Sequence, residues 1–232
     1  MSDFVFGPAP VRAIPVQGIE ALYPVHRIFC VGRNYAEHAC EMGGEVDRSA
    51  PFYFTKSALA LTATGATVPY PPGTADYHHE MELVVALGAA LFRATPDQVR
   101  AAIFGYAAGL DMTRRDLQAA AKDKRRPWDT GKDFEHSAIV APITPAADVG
   151  SVGPQRICLW VNGAVRQEAH LGDMVWSVEE LICHLSTLYH LGPGDLIFTG
   201  TPAGVGPVCP GDVIEGKIDG LDPVRLAIAA PE

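Results

Sequence analysis

Two carboxylates separated by one residue stand at the head of an apolar run, in His78-His79-Glu80-Met81-Glu82 followed by Leu83-Val84-Val85-Ala86-Leu87. The run reads as a strand. Strand side chains alternate faces, so Glu80 and Glu82 point to one side. Carboxylates so placed repel each other unless a cation or a shared proton lies between them. Hard oxygen donors of this kind suit Mg²⁺, Mn²⁺ or Ca²⁺. The alternative is an edge strand with two solvated glutamates, and the pattern alone does not separate the two. A zinc protease is excluded, because the position that would close its motif with a second histidine is Leu83.

Further candidates lie elsewhere in the chain. Asp111 follows the small-residue run Ile103 to Leu110 and can be a third carboxylate ligand, or a helix-capping aspartate. Arg115 and Gln118 are three apart in an expected helix and share a face, which is also what a solvated face looks like. His38 and Glu41 have the same spacing. A carboxylate beside an imidazole raises its pKa and fixes its tautomer, as a general base requires; a plain surface pair has the same signature. Lys132, after Gly131, can face an anion or be one more surface lysine. Gly200-Thr201-Pro202-Ala203-Gly204-Val205-Gly206 can cradle a carboxylate with backbone N–H groups or merely link strands. It is neither a P-loop nor a dinucleotide fingerprint, since the closing lysine and the spacing are absent. His26, His170, His184 and His190 have no such context and read as structural.

The elements that must position these residues are legible in outline. Residues 1–26 are proline-rich and expected to be an N-terminal extension or edge segment, with residues 27–232 forming one domain. Strands are expected at Arg27–Val31, Phe52–Lys56, Ile103–Leu110, Leu196–Thr199, Val213–Ile218 and Val224–Ile228. Asn162-Gly163 predicts a tight hairpin turn between Ile157–Val161 and Ala164–Glu168. Tyr35–Met42 predicts a short helix stopped by Gly43-Gly44, and Thr113–Lys122 a further one. Thr95 with Gln98, and Ser177 with Glu180, form capping boxes. The second opens a helix through Leu191, with Leu181, Leu185 and Leu188 facing the core and Gly192 as its stop. Ala141 to Arg156 reads as a connection. Strands outnumber helices without regular alternation, which predicts an α+β, largely β architecture and not a doubly wound sheet.

Composition narrows the class. With 232 residues, 48% apolar and 19% charged, the chain can bury a core without staples. A net charge of -9 argues against nucleic acid, and the one basic run is Lys122 to Arg126. No apolar stretch reaches the ~18 residues of a membrane helix, and Met1 to Pro10 lacks the pattern of a secretion signal. Five cysteines without a CxxC pair predict reduced, mostly buried thiols in a cytoplasmic protein.

Taken in order, Gly32-Arg33-Asn34-Tyr35-Ala36-Glu37-His38, His79-Glu80-Met81-Glu82, Asp111-Met112-Thr113-Arg114-Arg115-Asp116, Gly131-Lys132 and Thr199-Gly200-Thr201-Pro202 resemble the fumarylacetoacetate hydrolase superfamily. The resemblance runs from about Ile28 to the C-terminus and is to the short, single-domain branch. Around Arg126 to His136 it is most similar to fumarylpyruvate hydrolases and acylpyruvases. The resemblance implies a mixed β-roll, a homodimer and a divalent metal, usually Mg²⁺, on Glu80, Glu82 and Asp111. It implies Lys132 close to metal and substrate, and His38 with Glu41 as a water-activating pair on a segment that orders over ligand. Arg33, Arg115, Gln118, Lys122 and Thr201 are implied substrate contacts. Lys122 stands where the animal tyrosine-degradation enzyme has a substrate-contacting tyrosine. The implied reaction is hydrolysis of the carbon–carbon bond of a 2,4-dioxo acid, as with fumarylpyruvate in gentisate breakdown. Oxaloacetate decarboxylation and the decarboxylase-isomerase reactions of homoprotocatechuate breakdown are the alternatives on the same fold.

Overall fold

Runs of β-branched and aromatic residues broken by glycine and proline favour short strands over helices, and strands dominate the computed structural model, which describes residues 4–41, 43 and 48–232. β1 (Ala13–Val16) and β2 (Ile19–Pro24) form a hairpin, and β3 (Arg27–Val31) leads through Gly32 to α1 (Ala36–Glu41). β4 (Tyr53–Lys56), β5 (Leu61–Ala63), β6 (Ala66–Pro69) and β7 (Tyr77–His79) precede β8 (Met81–Leu87). α2 (Pro96–Ala102) then returns the chain to β9 (Ile103–Asp111). β10 (Thr113–Arg114), α3 (Arg115–Asp123), α4 (Asp129–Lys132), β11 (Ala138–Val140), β12 (Thr144–Pro145) and α5 (Ala146–Val149) follow. The hairpin of β13 (Arg156–Val161) and β14 (Ala164–His170) leads to α6 (Val178–Leu188). β15 (Asp195–Phe198), β16 (Gly206–Pro207), β17 (Val213–Ile218) and β18 (Val224–Ala229) close the fold.

The largest sheet runs β4-β3-β15-β8-β9-β11-β5, with β12 also on β9. A second runs β14-β13-β17-β18-β6, and a third β10-β7-β16. The pairs β3–β15, β5–β11 and β6–β18 are parallel among antiparallel neighbours, so the two larger sheets are mixed. The architecture is α+β and largely β, as the sequence predicts.

β8 lies between β15 and β9, which rules out the solvated edge strand. Its odd positions, Leu83, Val85 and Leu87, face a core shared with Ile157, Leu159 and Ile218. Its even positions, Val84 and Ala86, face a second core with Ile28, Phe198 and Ile143. Burial on both faces explains why the run is continuously apolar. The β1–β2 hairpin covers the second core with Ile14, Val16 and Tyr23. β9 is built of small residues because its neighbours come close. A Cβ on Gly105 would lie 2.4 Å from Thr144 O, and one on Gly109 2.5 Å from Val84 Cγ2.

Both capping boxes form, and Asn162 and Gly163 take positive φ (52° and 78°) in the expected hairpin turn. Several expectations need correction. α3 begins at Arg115 and not Thr113, because Thr113 and Arg114 pair with His78 and Tyr77 of β7. α6 ends at Leu188, not Leu191. Leu191 exchanges two backbone hydrogen bonds with Leu91 (2.9 and 3.0 Å), and Leu188 is 57% exposed and does not face the core. The Ala141–Arg156 connection holds β12 and α5. The strands β5, β6 and β11 carry no signal read from the sequence. Cys30 and Cys158 are buried and Cys183 half-buried, but Cys40 and Cys209 are exposed, so the thiols are free yet not mostly buried. The expected helix end over Met42 and Gly44, and the start of the N-terminal segment at Met1 to Asp3, lie outside the described residues.

Gly109→Ala should overpack the β8–β9 seam and cost about 1–3 kcal/mol, read as a lower thermal midpoint. An unchanged midpoint would show that the seam can relax around the methyl group.

Candidate active site

Strand register assembles the carboxylates. Met81 pairs with Leu110 and Glu82 with Gly109, and the Asp111 N–H donates to Glu80 O at 2.9 Å. Glu80 and Asp111 are therefore opposite one another, and Glu82, two residues on, shares the face of Glu80 across a glycine. Met81 points the other way into the core. One oxygen from each of Glu80, Glu82 and Asp111 lies within 4.8 Å of the others, and the three residues are 5%, 1% and 1% exposed. Asp111 ends its strand and is not a helix cap.

Buried cations offset this charge. Lys132 Nζ donates to Glu80 Oε2 and Asp111 Oδ2, both at 2.7 Å, and is buried, not a surface lysine. Lys56 Nζ lies 2.8 Å from Asp111 Oδ1 and also donates to Met112 O and Lys132 O. Arg115 forks onto Glu80 Oε1 and Gln118 Oε1. Burial alone would raise the Glu80 pKa, but the charges of Lys132 and Arg115 outweigh it and hold it below the carboxylate range. Burial would lower Lys132, and Asp111 and Glu80 hold it above its ordinary value. Glu82 differs. Burial, then the charges of Asp111 and Glu80, push it well above the carboxylate range, and its hydrogen bond comes from the Gly200 N–H at 2.7 Å. A buried carboxylate held among carboxylates is what a divalent cation corrects, and three hard oxygen donors fit such an ion.

α1 brings in the candidate base. His38 is 3% exposed, and its Nδ1 faces Glu41 Oε2 at 3.5 Å. Burial lowers the His38 pKa against the opposing charge of Glu80, so the imidazole is neutral near pH 7. Glu41 also accepts from the Gly204 N–H at 2.9 Å. The glycine-rich loop thus cradles carboxylates, and they are the chain's own Glu82 and Glu41. Gly204 has φ +92°, and a Cβ there would sit 1.9 Å from Arg166 O.

A cleft above the triad is lined by Arg33, His38, Glu80, Arg115, Gln118, Lys122 and Lys132, with Gly32 and Trp128. Glu41 touches it through His38, and Glu82 and Asp111 lie with Glu80 beneath it. Thr201 stands apart. Its hydroxyl donates to Met81 O and accepts from Gln167 Nε2, both at 2.8 Å. Gly131 lets α4 sit against α3, since a Cβ would lie 2.8 Å from Gln118 N, and this approach sets Lys132 beside Gln118.

Two residues of the site went unread. Lys56 closes the aromatic run of β4 on the same side as Phe54, and a lysine on the inner face of a strand is the signal that could have marked it. Asn34 is fully buried and joins three segments. Its amide donates to Thr199 O and Trp176 O and accepts from the Trp176 N–H. No local pattern marks that role.

Mixed sheets carrying a buried triad of carboxylates, two buried lysines and a paired histidine define a divalent-metal enzyme. The chain belongs to the fumarylacetoacetate hydrolase family: residues 27–229 match the family model described as fumarylacetoacetate (FAA) hydrolase C-terminal. A fumarylpyruvate hydrolase from a Ralstonia species is 52% identical over 193 residues, covering 82% of this chain and all of the relative. An oxaloacetate tautomerase from Escherichia coli (strain K12) is 40% identical, over 88% of this chain and 93% of that protein. The crystal structure of fumarylpyruvate hydrolase from Pseudomonas aeruginosa, in complex with Mn²⁺ and pyruvate, superposes with a TM-score of 0.94. It is 42% identical, over 98% of this chain and 100% of that one. No helix among the described residues is long and apolar enough to cross a membrane.

Glu80→Gln and Asp111→Asn should each weaken Mn²⁺ or Mg²⁺ binding by about tenfold or more in titration calorimetry, whereas His38→Ala should leave it unchanged. Unaltered binding in both carboxylate variants would move the metal elsewhere.

Proposed function

We propose that the chain hydrolyses the carbon–carbon bond of an acylpyruvate, with fumarylpyruvate, giving fumarate and pyruvate, as its substrate. The observation that carries this reading is the buried His38 imidazole, with the exposed Glu41 carboxylate 3.5 Å from its Nδ1, set beside a carboxylate triad that Lys132 bridges. The 52% identical Ralstonia hydrolase supports it. Mg²⁺ as resident ion, a homodimer, and residues 27–232 as one catalytic domain edged by residues 1–26 belong to the same proposal.

Glu80, Glu82 and Asp111 would hold the cation, which supplies Lewis-acid stabilisation of negative charge on the oxygens of a 2-oxo acid. His38 turns Nδ1–H to Glu41, leaving the Nε2 lone pair to take a proton from water. The water oxygen then attacks the ketone of the acyl group. Lys132 Nζ has three hydrogens and spends two on Glu80 and Asp111, so the third is available to the developing oxyanion. Gln118 gives its carbonyl oxygen to Arg115, which leaves its NH₂ as the donor for the same oxyanion. Collapse breaks the carbon–carbon bond, the electron pair passes to the pyruvate fragment as an enolate, and protonation at carbon releases pyruvate. With the Thr201 hydroxyl hydrogen donated to Met81 O, its contact to the substrate carboxylate would run through the backbone N–H.

A second reading follows from the 40% identical oxaloacetate tautomerase: chemistry through the same enolate, which needs the triad and Lys132 but no activated water. Steady-state assays with Mg²⁺ on fumarylpyruvate, acetylpyruvate and oxaloacetate, with an EDTA control, separate the two. Preference for oxaloacetate would favour the second reading. Under the first, His38→Ala should lower kcat for hydrolysis by about 10²–10⁴. The kcat/KM profile should also fall on the acid side, as His38 gains its proton, with a midpoint below the ordinary histidine value of 6.5. Glu41 raises the His38 pKa, so Glu41→Gln should move that midpoint lower still. A midpoint above 6.5 would remove His38 as the base.

A further inference from the structure

We propose that His78, oriented by Asp76, is a positioning residue: it acts through Arg115 and so aims the Gln118 amide at the reacting ketone. The inference rests on the hydrolase reading proposed above. Neither His78 nor Asp76 is among the residues lining the cleft.

Alternate positions of an extended chain share one side, which lines up Asp76, His78, Glu80 and Glu82. Tyr77 and Met81, between them, are buried in the main core. Asp76 Oδ1 and His78 Nε2 are 2.8 Å apart, and the Arg115 Nε–H donates to His78 Nδ1 at 3.4 Å. Arginine carries only donors, so the ring nitrogen that faces it must be a bare acceptor. The proton of the neutral ring then sits on Nε2, where the Asp76 carboxylate accepts it. Asp76 thus selects the tautomer in which His78 can hold Arg115.

The guanidinium is consequently held on three sides. Its Nε meets His78, one terminal nitrogen donates to Gln118 Oε1 at 2.6 Å, and the other donates to Glu80 Oε1. The Nε bond lies nearest the stem and fixes the direction from which the planar fork arrives. Gln118 keeps its carbonyl oxygen toward Arg115 while that fork stays in place, and its NH₂ then faces the oxyanion. The main chain makes the same connection independently. Thr113 and Arg114 of β10 pair with His78 and Tyr77, and the Arg115 N–H donates to Asp76 O at 2.7 Å. Asp116 accepts from the Thr74 hydroxyl at 2.6 Å and from the Ala75 N–H at 3.0 Å, which ties the segment before Asp76 to the first turn of α3. The stretch that carries Asp76 and His78 and the helix that carries Arg115 and Gln118 therefore hold together as one unit.

Nitrogen NMR and kinetics test this together. ¹⁵N spectra should show the His78 ring protonated at Nε2 and bare at Nδ1, and an Arg115 Nε–H protected from solvent exchange. In His78→Leu that protection should disappear. With Mg²⁺ present, kcat of this variant for fumarylpyruvate should fall about tenfold, the worth of one hydrogen bond to a charged group, with KM within about twofold. His78→Asn should recover most of the lost kcat, because its amide oxygen stands near the place of Nδ1. Asp76→Ala should lower kcat in the wild-type background and cause no further loss beside His78→Asn, whose acceptor needs no tautomer selected. A proton on Nδ1, equal losses in the Leu and Asn variants, or additive losses in the double variant would overturn the proposal. A wild-type enzyme that hydrolyses no acylpyruvate would overturn the hydrolase reading and the kinetic role with it, while the ring and guanidinium signals would still decide the contact.

Discussion

Holding Glu80, Glu82 and Asp111 together out of water creates a repulsion that three neighbouring elements exist to offset. Lys132 arrives from α4, Lys56 from β4 and Arg115 from α3, and each spends its donors on the triad or on the backbone around it. Removing one partner would leave a buried charge uncompensated, which costs several kcal/mol. The same network explains why Glu82, reached by a backbone N–H and by no side-chain cation among the described residues, is the carboxylate whose pKa rises. A cation bound by the triad would complete a balance that the lysines only begin.

Backbone geometry carries the rest. The glycine-rich loop gives one N–H to a metal-ligand candidate and another to the partner of the candidate base, so one turn of chain aligns both halves of the site. Gly204 permits the approach because any side chain would strike Arg166 O. Asn34 ties the start of α1 to the end of β15 and to Trp176, and Gln167 ties β14 to Met81 N and Thr201. These buried amides are satisfied on both ends, which makes them rigid spacers.

Much of the site is legible in the sequence because its signals are local. A period of two puts Glu80 and Glu82 on one face, a strand's end exhibits Asp111, and helical spacing pairs His38 with Glu41 and Arg115 with Gln118. What escapes is non-local. Nothing near Lys56 shows that β4 will lie beside Asp111, and nothing near Leu191 shows that its backbone will bridge to Leu91 and end a helix early. The short strands β5, β6 and β11 gain partners from distant parallel pairing, which leaves little imprint on three or four residues. Two-residue β10 displaces the start of α3 for the same reason.

The bond from Asn34 to Thr199 spans 165 residues of chain. Synthesis at about 5–20 residues per second separates the two partners by roughly 10–30 s. Glu80, Glu82, Asp111 and Lys132 all emerge within that interval, whereas the Gly204 anchor of Glu41 comes after it. β15, which flanks β8, and Gly200, which holds Glu82, come at the end of it as well, so the acid cluster and the histidine tether are completed together by the same late stretch of chain.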